Sequence, residues 1–89
     1  MDPASAMQDF LQFVLKQLVN HPDEATITTS PLGDDGEGHL FSVTVNEEDM
    51  GCIIGKNGFT ISALRSLLDA SAEKHGTRAR LKVRGHDEE

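Results

Sequence analysis

Met50-Gly51-Cys52-Ile53-Ile54-Gly55-Lys56-Asn57-Gly58-Phe59 is the stretch whose reading decides the fold. Gly55 and Gly58 bracket two polar residues, and glycine permits angles and close approaches that a Cβ blocks. On the C-terminal side, Ile61, Leu64, Leu67, Leu68 and Ala72 recur at helical spacing, which predicts a helix over residues 59–74. His75-Gly76 closes that helix, with Gly76 at a left-handed C-terminal position. On the N-terminal side, Asn46 to Asp49 can cap a short helix from Met50 to Ile54. A tight Gly-x-x-Gly turn therefore joins two helices.

Outward from this centre, Leu40 to Val45 alternates, with Phe41, Val43 and Val45 on one face. Ala79 to Arg84 alternates as well, with Ala79, Leu81 and Val83 against Arg80, Lys82 and Arg84. Ala25 to Ser30 is rich in Thr and Ile. All three segments read as strands, the first two in the chain forming a hairpin around a Gly- and Asp-rich loop at residues 31–39. At the N-terminal end, Met7, Phe10, Leu11, Val14, Leu15 and Leu18 form one stripe of a helix running to Asn20, with Phe13 off the stripe. His21-Pro22 ends it, because the residue before proline resists helical angles. The order α-β-β-α-α-β predicts an α+β fold of two layers, a three-stranded sheet packed against helices. Residues 1–6 carry no pattern and are expected to be a disordered leader or an expression remnant. The domain is expected over residues 7–84, followed by an acidic tail at 85–89.

A chain of 89 residues has room for one domain and a modest core, which disfavours a long catalytic cleft or a large cofactor pocket. No apolar run reaches the roughly 18 residues that a membrane span needs. A single cysteine, Cys52, excludes an internal disulfide and a four-cysteine zinc site, and fits a reducing, cytoplasmic setting. His21, His39, His75 and His86 are scattered without ligand spacing, so neither a metal nor another cofactor is expected. The net charge of −7 argues against a polyanionic partner, but its distribution argues for one. Residues 1–50 carry one base and ten acids, whereas residues 51–86 carry seven bases and two acids. The basic half begins at the Gly-x-x-Gly turn, an asymmetry that bears on binding preference.

The chemistry of the turn follows from its parts. Backbone N–H groups at a helix start carry partial positive charge and can receive a phosphate. Lys56 adds a full charge and Asn57 adds side-chain donors. Ile53 and Ile54 are expected to wall an apolar cleft for bases. A backbone clamp beside an apolar groove is the arrangement for single-strand recognition. The residues of this arrangement are Gly55, Lys56, Asn57, Gly58, Ile53 and Ile54. Phe59, Arg80, Lys82 and Arg84 are secondary candidates; their plain readings are packing at a helix start for Phe59 and a solvated sheet face for the three bases. Arg65 stands four residues before Asp69, the spacing of a surface helix pair.

These segments together resemble KH domains of the type II arrangement, with Gly55–Gly58 as the Gly-x-x-Gly signature. More narrowly, the chain is similar to the KhpA family of stand-alone bacterial KH proteins. The resemblance rests on Leu18-Val19-Asn20-His21-Pro22-Asp23-Glu24, Glu48-Asp49-Met50-Gly51, Ile54-Gly55-Lys56-Asn57-Gly58 and Ala63-Leu64-Arg65, in that order. It implies a cytoplasmic, non-enzymatic protein that binds single-stranded RNA as a chaperone or post-transcriptional regulator. It also implies a homodimer and a larger KH-containing partner. Cys52, Phe59 and Ser62 stand where such proteins often carry Lys or Arg, and Asp34, Asp35 and Glu37 fall in a loop expected near the cleft mouth. Both features predict weak, salt-sensitive RNA binding.

Two other readings compete. Gly51, Gly55 and Lys56 partly match a phosphate-binding P-loop, but the spacing is one residue short and Asn57 replaces the Ser or Thr that binds magnesium. A KH-fold adaptor that binds protein and has lost RNA binding is favoured by the acidic first half and by Phe13.

Overall fold

In the computed structural model, which describes residues 2–33 and 37–86, the elements follow the expected α-β-β-α-α-β order. Helix α1 spans Pro3–Leu18, strands β1 and β2 span Thr26–Leu32 and Gly38–Val45, helices α2 and α3 span Met50–Ile54 and Phe59–Lys74, and strand β3 spans Arg78–Gly85. Short 3-10 turns occupy Pro22–Glu24, Glu47–Asp49 and Lys56–Gly58. The sheet order is β1-β2-β3, with β1 antiparallel to β2 and β2 parallel to β3. A parallel pair requires a long crossover, and residues 46–77, carrying α2 and α3, provide it.

One layer is the sheet and the other is the three helices. Alternation turns Phe41, Val43 and Val45 of β2 and Ala79 and Leu81 of β3 toward the helices, where all are buried. They meet Met7, Leu11 and Leu15 of α1, Ile53 of α2, and Leu64, Leu68 and Ala72 of α3 in one core. Helices α1 and α3 each contribute residues spaced by four, one narrow stripe per helix.

The differences from the sequence reading have physical causes. Helix α1 begins at Pro3, four residues earlier than the apolar stripe indicates, because proline at the first helical position needs no N–H partner. Residues 3–6 are therefore helical rather than patternless. The helix stops at Leu18, where Val19 turns extended and drops into the core. Strand β1 continues through Pro31, which a sheet tolerates on an edge strand such as this one. Strand β3 takes in Gly85. Leu67, expected in the core, is 53% exposed, because the buried stripe of α3 is only one residue wide.

Candidate nucleic-acid interface

The Gly55–Gly58 turn stands at the junction of α2 and α3 with its backbone set in unusual conformations. Gly55 has φ 75 and ψ 174, and Gly58 sits in the left-handed region at φ 76 and ψ 13. Asn57 is left-handed too, at φ 56 and ψ 23, the lone non-glycine with positive φ among the described residues. Asparagine is among the few side chains that accept this conformation. Asn57 therefore has a conformational role beside the donors expected of it.

Hydrogen bonds fix the turn from inside. The Gly55 N–H donates to the Gly51 carbonyl at 2.8 Å and the Gly58 N–H to the Gly55 carbonyl at 3.1 Å. The Phe59 N–H donates to the Lys56 carbonyl. Among the described residues, the N–H groups of Lys56 and Asn57 have no backbone acceptor. Both residues are exposed. The turn thus presents two unpaired donors, an ammonium and a carboxamide to solvent, which is the equipment for holding an anion.

The two isoleucines separate. Ile54 is 40% exposed, beside the turn. Ile53 is fully buried in the core and does not wall a cleft. Phe59, at the start of α3, is 71% exposed, so packing at the helix start does not account for it.

An open groove of about 610 Å³ lies between α3 and β3, farther from the turn. Its floor is the outer edge of the buried core residues Leu68, Ala72, Ala79 and Leu81 together with half-buried Leu32, and Arg65, Asp69, Thr77, Arg78 and Arg80 make the rest of the lining, the rim, polar. Arg65 lies seven residues after Gly58, about 10 Å along the helix at 1.5 Å per residue. Turn and groove therefore lie along one helix. The expected helix pair of Arg65 and Asp69 is not made; neither residue enters an ion pair among the described residues. Sequence reasoning missed the groove because its floor residues carry the same apolar signal as the core. The one available sign was that α3 and β3 are consecutive and joined by the short His75–Thr77 turn.

Arg80, Lys82 and Arg84 are all exposed and share the face of β3 opposite to Ala79 and Leu81. They stand on the sheet face opposite to the one packed against the helices. The residues flanking the acidic loop, Leu32 and Gly38, pair with each other, and Gly38 pairs with Arg78 at the start of β3. That places them by the C-terminal end of α3, about 24 Å along this 16-residue helix from the Gly55–Gly58 turn. Asp34 and Asp35 lie outside the described residues, as do Asp87, Glu88 and Glu89 of the tail.

One buried polar group organises the approach to the turn. The carboxylate of Asp49, fully enclosed just before α2, accepts the N–H of Asn20 on Oδ1 at 3.1 Å and that of His21 on Oδ2 at 2.9 Å. Around it the two 3-10 turns are knitted by Asn46 Nδ2 to Glu24 Oε2 at 2.9 Å and by His21 Nε2 near Glu48 Oε2 at 3.4 Å.

Among the described residues no helix is long and apolar enough to cross a membrane. Residues 8–83 match the family described as KhpA/KhpB, KH domain. A protein of Treponema pallidum described as RNA-binding protein KhpA is 39% identical over 77 residues, covering 85% of this chain and 91% of its own. Its namesake in Halalkalibacterium halodurans is 36% identical, covering 86% and 97%. The namesake in Thermotoga maritima is 40% identical over 65 residues, covering 72% and 81%. With the α-β-β-α-α-β order, the mixed three-stranded sheet and the Gly-x-x-Gly turn between two helices, the chain belongs to the KhpA/KhpB family of KH domains.

Proposed function

We propose that this protein is a non-enzymatic binder of single-stranded RNA that grips the sugar–phosphate backbone at Gly55-Lys56-Asn57-Gly58. The observation that carries the reading is the pair of N–H groups at Lys56 and Asn57 without a backbone acceptor, on two exposed residues between the positive-φ glycines Gly55 and Gly58 and beside the Lys56 ammonium. Phosphates meet the turn, and bases lie toward Ile54 and the apolar floor between α3 and β3. A single grip of this kind spans about four nucleotides, so one copy selects weakly among sequences. The cellular role that goes with it is RNA chaperoning or post-transcriptional regulation in the cytoplasm. The relatives described as RNA-binding proteins support the reading. An NMR titration with a short single-stranded RNA tests it. The amides of residues 55–59 are expected to shift first and most; shifts elsewhere with these amides unmoved would overturn it.

A second reading accompanies the first: self-association, or union with a larger KH-containing protein. Three large apolar side chains favour it, since Phe13, Phe59 and Leu67 are each more than half exposed. The family description, which joins KhpA with KhpB, supports it too. Sedimentation velocity at rising concentration is expected to show a dimer; a monomer at every concentration would remove the homodimer.

A further inference from the structure

The helices cover one face of the sheet and leave the other open. The register of the strands places three consecutive rows on the open face, beyond an end row of Leu32, Gly38 and Arg78: Thr26, Thr44 and Arg84; Thr28, Ser42 and Lys82; Ser30, Leu40 and Arg80. Each row runs from hydroxyl or apolar residues to a base on the edge strand β3. None of the nine positions is acidic, although the chain carries 15 Asp and Glu among 89 residues. The three bases are exposed, and among the described residues none of them enters an ion pair. Alternate residues on a parallel strand stand roughly 6.6 Å apart. The result is a line of unneutralised positive charge backed by hydroxyl groups that can both donate and accept hydrogen bonds. Arg80 belongs to this line and also to the rim of the groove between α3 and β3. It stands where the groove passes over the β3 edge onto the open face.

We propose that the open sheet face is a second track for the RNA backbone, entered from the groove over the β3 edge at Arg80 and carried on by Lys82 and Arg84. It takes phosphates of a strand longer than the grip of the Gly55–Gly58 turn. The inference rests on the RNA reading and adds a second contact surface to it. The competing role of edge-strand charges, which is to keep sheet edges from pairing with other chains, would leave RNA binding untouched.

The test compares wild type, Lys82→Gln/Arg84→Gln, and Lys56→Asp/Asn57→Asp on single-stranded RNA of roughly four and about twelve nucleotides over a range of salt. Arg80 is left intact because the groove shares it. The Lys82→Gln/Arg84→Gln variant is expected to bind the short RNA as wild type does. On the long RNA it should lose about tenfold in affinity at low salt, and its salt slope should be shallower by about 1.4, at roughly 0.7 per lost phosphate contact. If its affinity and slope on the long RNA equal those of wild type while wild type binds, the open face is not a track and the turn reading survives alone. If long-RNA binding survives in Lys56→Asp/Asn57→Asp and is lost in Lys82→Gln/Arg84→Gln, the track stands and the turn reading falls. If wild type binds neither RNA, both fail.

Discussion

The carboxylate of Asp49 accepts the backbone N–H of His21 at 2.9 Å across 28 residues of chain. Its other oxygen takes the N–H of Asn20. One enclosed side chain thereby ties the end of the first helical segment to the turn that launches α2. Removing it would leave two part-buried amide donors without these acceptors, and a fully buried unsatisfied donor costs roughly 1–3 kcal/mol. With both donors open in part to water, Asp49→Ala is expected to destabilise the fold by about 2 kcal/mol, and Asp49→Asn, which keeps one acceptor, by about half as much. Urea denaturation checks this. A loss below about 0.5 kcal/mol, the range of an ordinary surface change, would contradict the tether.

Glycines around the turn are expected to respond with different signs. A Cβ on Gly55 would run into the side chain of Thr60 and its backbone nitrogen, at a positive φ. Gly55→Ala is expected to cost about 2 kcal/mol or more and to displace the turn. Gly58 has the same sign of φ but open space around it, so Gly58→Ala should cost only about 1 kcal/mol. Gly51 lies inside α2 with nothing near its absent Cβ, and Gly51→Ala should stabilise by about 0.5 kcal/mol. Thermal unfolding of the three variants gives the order directly.

The groove rim makes a prediction of opposite signs for two neighbours. Arg65 and Asp69 both face the groove and do not pair. Asp69→Asn removes a negative charge beside the path of the RNA and is expected to raise affinity severalfold at low salt. Arg65→Glu is expected to lower it by about tenfold, with stability unchanged within about 0.5 kcal/mol for so exposed a residue. Equal affinities for the two variants would remove the groove from the binding path.

Much of this fold was legible because its signals are local and redundant. Alternation in Leu40–Val45 and Ala79–Arg84, the stripe Leu64–Leu68–Ala72, and the stop at His75-Gly76 each speak for one element, whereas α1 ends at Leu18, ahead of the stop that His21-Pro22 signals. The site was legible where glycine and asparagine report backbone conformation, as at Gly55, Asn57 and Gly58. It was not legible where a contact depends on which way a one-turn helix faces. Ile53 and Ile54 are adjacent on α2 and about 100° apart around its axis, and composition does not say which of them the core takes. Leu67 beside Leu68 poses the same problem. Asp49 reads as a capping acid, since its partners at Asn20 and His21 are remote in sequence. Arg65 and Asp69 have the spacing of a pair, but spacing permits an ion pair without requiring one, and exposed pairs contribute little.

The most direct test of the central claim is a titration of labelled single-stranded RNA with wild type and with Lys56→Asp/Asn57→Asp, at low and physiological salt. Both glycines remain, and aspartate tolerates the left-handed conformation of residue 57, so circular dichroism should show the same fold. The account predicts that wild type binds, weakens as salt rises, and loses at least tenfold in affinity when the two negative charges occupy the phosphate position. Equal binding by the folded variant would contradict it.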